Sequence, residues 1–262
     1  MQKIGICGKG GSGKSVIVQL LAEGLRRRGR DVLVVDADES NTGLHRMLGF
    51  DRPPRPLIDL LGGKQTLESR LEAAVRAGVP EMKVELVNQE MQLADIPPEF
   101  IFTTSSGIRL VSIGKILMAL EGCACPMGIV SRSFLKKLRL GPDEVAVIDL
   151  EAGVEHFGRG VETSMDCVLV VVEPSLDSLE IAARISELSQ QIDIADVFAV
   201  LNKVADEATD RYLRDQLAKR DITVIGTVHY NQEIFASGLE GRPIRPGVAA
   251  GDIEPVLDFL FP

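Results

Sequence analysis

The chain has 262 residues, 45% of them hydrophobic and 26% charged. That length and balance suit one large soluble α/β domain with a sizeable core, and residues 1–262 read as a single unit. The net charge of −9 argues against a nucleic-acid binder, and no apolar run reaches the 18 residues a membrane span needs. No secretory signal opens the chain, so a cytoplasmic, reducing location and unpaired cysteines are expected.

Apolar, β-branched runs alternate with helical patterns from the start. Ile4–Cys7 reads as a strand and runs straight into Gly8-Lys9-Gly10-Gly11-Ser12-Gly13-Lys14-Ser15. This segment matches the phosphate-loop pattern, and the helical stripe over Ser15–Arg28 gives it the strand–loop–helix context that pattern requires. Glycines let the backbone close round a phosphate, and the helix N-terminus favours an anion there. Lys14 is expected at the β- and γ-phosphates of ATP, or the β-phosphate of ADP, and the Ser15 hydroxyl at Mg²⁺.

Val32–Val35 is the next strand and ends in Asp36-Ala37-Asp38. Carboxylates at the C-terminal end of a parallel strand face the ligand crevice. They could also be turn residues leading into Glu39-Ser40-Asn41. From about Arg52 to Ser106 six prolines interrupt the pattern, with a helical stretch near Leu67–Ala77. That region reads as an elaboration between core strands, with no motif in it.

Gly122-Cys123-Ala124-Cys125-Pro126-Met127-Gly128 then reads as a turn, followed by a helix over Val130–Leu138. Two thiolates can begin a soft-metal site, but a closed tetrahedral site needs four ligands. A two-fold dimer could supply the other pair. Two incidental cysteines, or a redox pair, remain open at this point. Cys7 and Cys167 sit in apolar runs and read as core thiols.

Val145–Leu150 is a strand carrying Asp149, a second candidate for the Mg²⁺ side of the site. Gly153 follows and could offer its N–H to a γ-phosphate, as switch loops do. His156 reads as a polar residue of that loop rather than a catalyst. The remaining pattern is strand Val168–Val172, helix Leu176–Gln190, strand Val197–Leu201, helix Glu207–Lys219, strand Thr223–Val228 and a short apolar, acidic tail helix. Uninterrupted strands alternating with helices predict an α/β fold: a mostly parallel twisted sheet with helices on both faces. Asn202 and Lys203 close one late strand. Val228, Tyr230 and Asn231 close the next, where backbone is expected to line a base pocket.

A lysine directly after the first glycine of the loop, as Lys9 stands here, resembles the deviant phosphate-loop ATPase superfamily, a group of P-loop NTPases. That superfamily includes nitrogenase iron protein, cell-division and partition ATPases, and metal-cluster assembly ATPases. The resemblance implies a homodimer in which Lys9 reaches the partner's nucleotide, in the manner of an arginine finger. It implies Lys9, Lys14 and Asp38 as catalytic residues, with Asp38 orienting water and Asp36 in the metal's outer shell. It gives Asn202 the adenine edge.

Gly-Cys-Ala-Cys-Pro-Met together with Glu151-Ala152-Gly153-Val154-Glu155-His156 resembles one branch, the ATPases that mature nickel carbon monoxide dehydrogenase. That branch implies nickel or zinc on Cys123 and Cys125 of both protomers, and carbon monoxide dehydrogenase as client. Ser15 departs from the commoner threonine, and either hydroxyl serves. A partition or positioning ATPase is the alternative, as is an iron–sulfur redox ATPase like nitrogenase iron protein or a non-catalytic nucleotide sensor. Membrane-positioning members end in a basic amphipathic helix, whereas Asp252–Pro262 holds no Lys or Arg. Neither nucleic acid nor stable membrane binding is therefore expected.

Overall fold

A computed structural model describes residues 1–80, 84, 87, 89–115, 125–194, 196–245 and 247–262. Its centre is an eight-stranded sheet, ordered β3-β4-β2-β5-β1-β6-β7-β8. The strands are β1 Lys3–Gly8, β2 Asp31–Asp36, β3 Phe102–Thr103, β4 Arg109–Ser112, β5 Glu144–Asp149, β6 Cys167–Val172, β7 Val197–Val204 and β8 Thr223–His229. Neighbours run parallel throughout except at the edge, where β3 pairs antiparallel with β4. The expected α/β architecture is present. β1, β2, β5 and β6 are buried almost end to end on both faces, which is why their sequences show no polar alternation.

The helices are α1 Lys14–Arg27, α2 Leu44–Met47, α3 Leu57–Leu60, α4 Lys64–Arg76, α5 Cys125–Lys137, α6 Leu176–Gln191, α7 Glu207–Ala218, α8 Gln232–Glu240 and α9 Ala250–Leu260. They bury two cores, one on each face of the sheet. One gathers Leu57, Leu67, Phe134, Leu179 and Leu213 against strand residues such as Val35 and Ile148. The other gathers Ile17, Leu21, Leu25, Ile253 and Leu257 against Ile4, Val34 and Val147. Ser175 caps α6 by accepting from the Ser178 amide at 3.3 Å, and Asp206 caps α7 from Thr209 at 2.8 Å.

Three expectations change. β3 and β4 were not foreseen, and β3 lies within the stretch read as an elaboration, so the sheet resumes at Phe102. α5 begins at Cys125, five residues ahead of the expected start at Val130, so Cys125–Gly128 is helical and not a turn. Proline in a first helical turn loses no hydrogen bond the helix needs, so Pro126 does not delay the helix. Cys7 and Cys167 are buried free thiols, as expected.

Candidate nucleotide site

β1, β2, β5, β7 and β8 all end at one edge of the sheet, and the functional side chains collect there. Gly13 starts α1 with φ +94°, a left-handed conformation, and a Cβ on it would collide with the Asn202 side chain. Asn202 Nδ2 donates to the Ser12 carbonyl at 2.8 Å, and Lys203 Nζ to the Gly11 carbonyl at 2.5 Å. With those carbonyls held by β7, the N–H groups of Gly10, Gly11, Gly13, Lys14 and Ser15 make no hydrogen bond among the described residues. Those five N–H groups of the Gly8–Ser15 loop are thus free for a phosphate. Lys14 is buried, with Nζ 3.5 Å from the Lys9 carbonyl.

Asp36 and Asp149 are register partners on β2 and β5. The Ser15 hydroxyl donates to Asp149 Oδ2 at 2.9 Å and accepts from Asn41 Nδ2 at 2.8 Å. Asp149 Oδ1 is buried with no hydrogen-bond partner among the described residues. Burial, followed by the charges of Asp36 and Asp38, pushes the Asp149 carboxyl up to about 7. An orphaned buried carboxylate oxygen beside a hydroxyl suits a hard divalent cation, so the residues present fit Mg²⁺.

Asp36 is 2.7 Å from Lys115 Nζ, which also donates to the carbonyls of Asp38 and Asn41. Burial still raises Asp36 to about 6 against the opposing pull of Lys115. Asp38 is buried too. Its Oδ1 accepts from the Ser40 amide (2.9 Å), the Ser40 hydroxyl (2.7 Å) and the Asn41 amide (3.0 Å). In this conformation Asp38 organises the turn after β2, the plainer of the two roles open from sequence.

The second loop lies alongside. The Gly153 N–H donates to the Gly8 carbonyl at 3.2 Å, so in this state it is tied to the phosphate loop itself. His156 is buried against Glu162, and burial pushes its imidazole down to about 4. Arg159 Nη1 sits 3.1 Å from both Glu39 and Glu151, joining the loop after β2 to the loop after β5.

A cleft of about 260 Å³ opens beside Gly13, lined by Val16, Asn202, Tyr230, Ile234 and Phe235 among others. Its largely apolar walls, with the Asn202 amide at one side, suit a purine. Lys203 and Asn231 also line it, though the Asn231 side chain is spent capping α8 through the Glu233 and Ile234 amides. Val228 is corrected: it has no exposed surface, because it belongs to the core under β8, and the cleft wall begins at His229. Lys9 pairs with Glu173 at 3.1 Å, and Lys203 reaches the same carboxylate at 2.8 Å. Cys123 lies outside the described residues, and Cys125 opens α5. No group of three or more His, Cys, Asp or Glu able to hold a metal occurs among the described residues.

Sequence reasoning missed Lys115, Arg159 and Glu173. Glu173 directly follows β6 and Lys115 follows β4 by three residues, so the strand-end rule that found Asp36 would have found them. β4 is four residues long and was not recognised. Arg159 carries no such signal.

The model of the CobQ/CobB/MinD/ParA nucleotide binding domain matches residues 5–244. The chain belongs to this family. It is an ATPase of the deviant phosphate-loop class. An uncharacterised ATP-binding protein of Methanocaldococcus jannaschii is 39% identical over 98% of this chain and 99% of its own. The carbon monoxide dehydrogenase accessory protein CooC of Rhodospirillum rubrum is 32% identical over 91% of this chain and 88% of its own. Among solved structures, the septum site-determining protein MinD of Pyrococcus horikoshii, complexed with Mg-ADP, superimposes with a TM-score of 0.69. It covers 99% of this chain and 96% of that one at 18% identity, a likeness of fold alone. No helix among the described residues is long and apolar enough to cross a membrane.

Proposed function

We propose that the protein is a dimeric, ATP-hydrolysing metallochaperone that inserts nickel into carbon monoxide dehydrogenase. One observation carries this reading: Cys123-Ala-Cys125 accompanies the Glu-Ala-Gly-x-Glu-His loop in a chain that aligns almost end to end with an accessory protein of that enzyme. Residues 1–262 act as one ATPase domain, cytoplasmic, with the stretch from about 52 as an elaboration.

The base of ATP occupies the cleft by Asn202 and Tyr230, and its phosphates meet Gly8–Ser15. Lys14 lies against the β- and γ-phosphates. Ser15, Asp36 and Asp149 hold Mg²⁺, which supplies charge neutralisation at the phosphates when bound. Asp38 orients water once its Oδ1 leaves the turn, and Gly153 turns its N–H from Gly8 to the γ-phosphate. Lys9 leaves Glu173 for the nucleotide of the partner subunit. Nickel or zinc is cargo on Cys123 and Cys125 of both protomers.

The test is metal stoichiometry and molar mass in apo, ADP and non-hydrolysable-ATP states. The wild type should carry one nickel or zinc per dimer. Cys123→Ser/Cys125→Ser should carry none and should not activate apo carbon monoxide dehydrogenase. Unchanged metal content in the double variant removes the proposal.

A further inference from the structure

A second cleft lies beside the nucleotide site, on the β4 edge of the sheet. Its volume is about 570 Å³, within the range of small-molecule sites. Its walls come from α2, the proline-rich segment after it, the end of β4 and the start of α5. It shares no lining residue with the cleft beside Gly13. Met127, Ile58, Pro53 and Pro54 make one wall apolar.

Several polar groups of this cleft make no side-chain hydrogen bond among the described residues, whereas Lys115 and Asp59 are already engaged. His45 is 94% buried at 6% exposure, yet its ring makes no hydrogen bond among the described residues. Its nitrogens open onto the cavity while the rest of the ring is packed, so the imidazole is placed to meet a ligand there. Burial, then the cations Arg46 and Lys115, hold His45 below its ordinary pKa, which favours the neutral ring that can both donate and accept. The hydroxyls of Thr42 and Ser112 line the same space and make no side-chain hydrogen bond among the described residues. Neither does the Arg46 guanidinium.

Charge then selects the ligand. Arg46, Arg52, Lys64 and Lys115 line the cleft against two carboxylates, Asp51 and Asp59, and Lys115 is already bonded to Asp36. Asp59 is already paired with Arg55 at 3.1 Å. Arg52 is packed over the Phe102 ring at 5.9 Å, which fixes its stem and leaves its charge in place.

We infer that this cleft is a second binding site, for a small organic anion with an apolar body. The anionic head would meet Arg46, His45 and the Ser112 hydroxyl, and the body would pack on Met127 and Ile58. Lys115 lines the cleft and also holds Asp36, so an occupant would lie one side chain from the nucleotide site. This site is independent of any metal carried by the protein.

The probe is anilinonaphthalene sulfonate, titrated by fluorescence and by equilibrium dialysis into protein saturated with ADP so that the base cleft is filled. One saturable equivalent is expected. Arg46→Glu should weaken binding by about tenfold or more and His45→Ala by several-fold, with ADP affinity unchanged. The uncharged analogue phenylnaphthylamine should bind wild-type protein about tenfold more weakly, a comparison that needs no folded variant. Lack of a saturable site in the ADP-bound protein would overturn the inference. So would equal affinity for the charged and uncharged probes, or an Arg46→Glu variant that folds and binds as tightly as wild type.

Discussion

Glu173 holds the lysine on which dimer catalysis is proposed to depend, so Glu173→Gln should release it. Lys9 Nζ lies 3.1 Å from Glu173, with side-chain exposures of 29% and 17%. Burial raises the Glu173 carboxyl, but hydrogen bonds from Lys203 and Lys9 outweigh it and hold the group ionised. A partly exposed pair of this kind contributes about 0.5–1 kcal/mol. The second contact of Lys9, Asp177 at 4.0 Å, is largely exposed and adds little. In the proposed two-fold dimer the Lys9–Glu173 pair would be broken twice, a cost of about 1–2 kcal/mol. Removing that cost should tighten the ATP-state dimer by about 5- to 30-fold. The assay is sedimentation equilibrium with a non-hydrolysable ATP analogue. Lys203→Ala serves as control, because Glu173→Gln also frees Lys203 from its carboxylate. If Glu173→Gln leaves the dimer constant unchanged while Lys9→Ala weakens it, the reasoning about the parked lysine is wrong. If Glu173→Gln weakens dimerisation, Glu173 itself belongs to the interface.

Burial pushes Glu39 up to about 7 despite Arg159, so the folded protein holds a proton there that the unfolded chain releases near 4.5. Its stabilising contribution is therefore complete below about 4.5 and declines as pH rises to about 7. Urea unfolding at pH 5 and pH 8 should show wild type losing stability relative to Glu39→Gln, and a pH-independent difference would refute this. Gly226→Ala should destabilise by about 1–3 kcal/mol through overpacking, because its Cβ would collide with Val256 of α9. The melting temperature should fall accordingly and recover in Gly226→Ala/Val256→Ala. Lys14→Ala should reduce ATP hydrolysis by about a thousandfold or more, and Lys9→Ala should reduce it only where dimers form, as steady-state rates against protein concentration would show.

The sheet was legible because buried parallel strands write themselves as uninterrupted β-branched runs. β1, β2, β5, β6, β7 and β8 all announced themselves that way. β3 and β4 did not, being two and four residues long in a region dominated by prolines. The phosphate loop was legible for a different reason: its glycines answer to one backbone geometry, and Gly13 shows it, with a left-handed φ and the Asn202 amide against its Cα. The side-chain partners were not legible. Lys115 reaches Asp36 across 79 positions, and Arg159 reaches Glu39 across 120. Such pairs follow from register and loop path, which no local pattern records. Val228 misled because alternation in β8 turns it inward, one residue before the cleft begins.

Both flanks of the Cys-bearing segment are fastened to the loops around the nucleotide. On one side, Lys115 is bonded to Asp36 and to the carbonyls of Asp38 and Asn41. On the other, Arg132 of α5 donates to the Arg159 carbonyl at 2.6 Å, and the Arg159 stem packs on Gly128. Arg159 in turn bridges Glu39 and Glu151. On the proposed function, a change in residues 36–41 or 151–159 would be passed through these contacts to the two flanks of the segment that carries Cys123 and Cys125. Arg159→Ala removes the stem packing on Gly128 and the bridge to Glu39 and Glu151, leaves the Arg132 bond to the residue-159 carbonyl, and touches no group proposed to meet ATP. Nucleotide affinity should stay within about threefold of wild type, since the bonds from Lys14 and Ser15 remain. Metal affinity should lose most of its difference between ADP and the ATP analogue, read by competition with a chromogenic chelator. A full nucleotide-dependent difference in Arg159→Ala would mean that the two sites communicate by another route, with Lys115 the first residue to test.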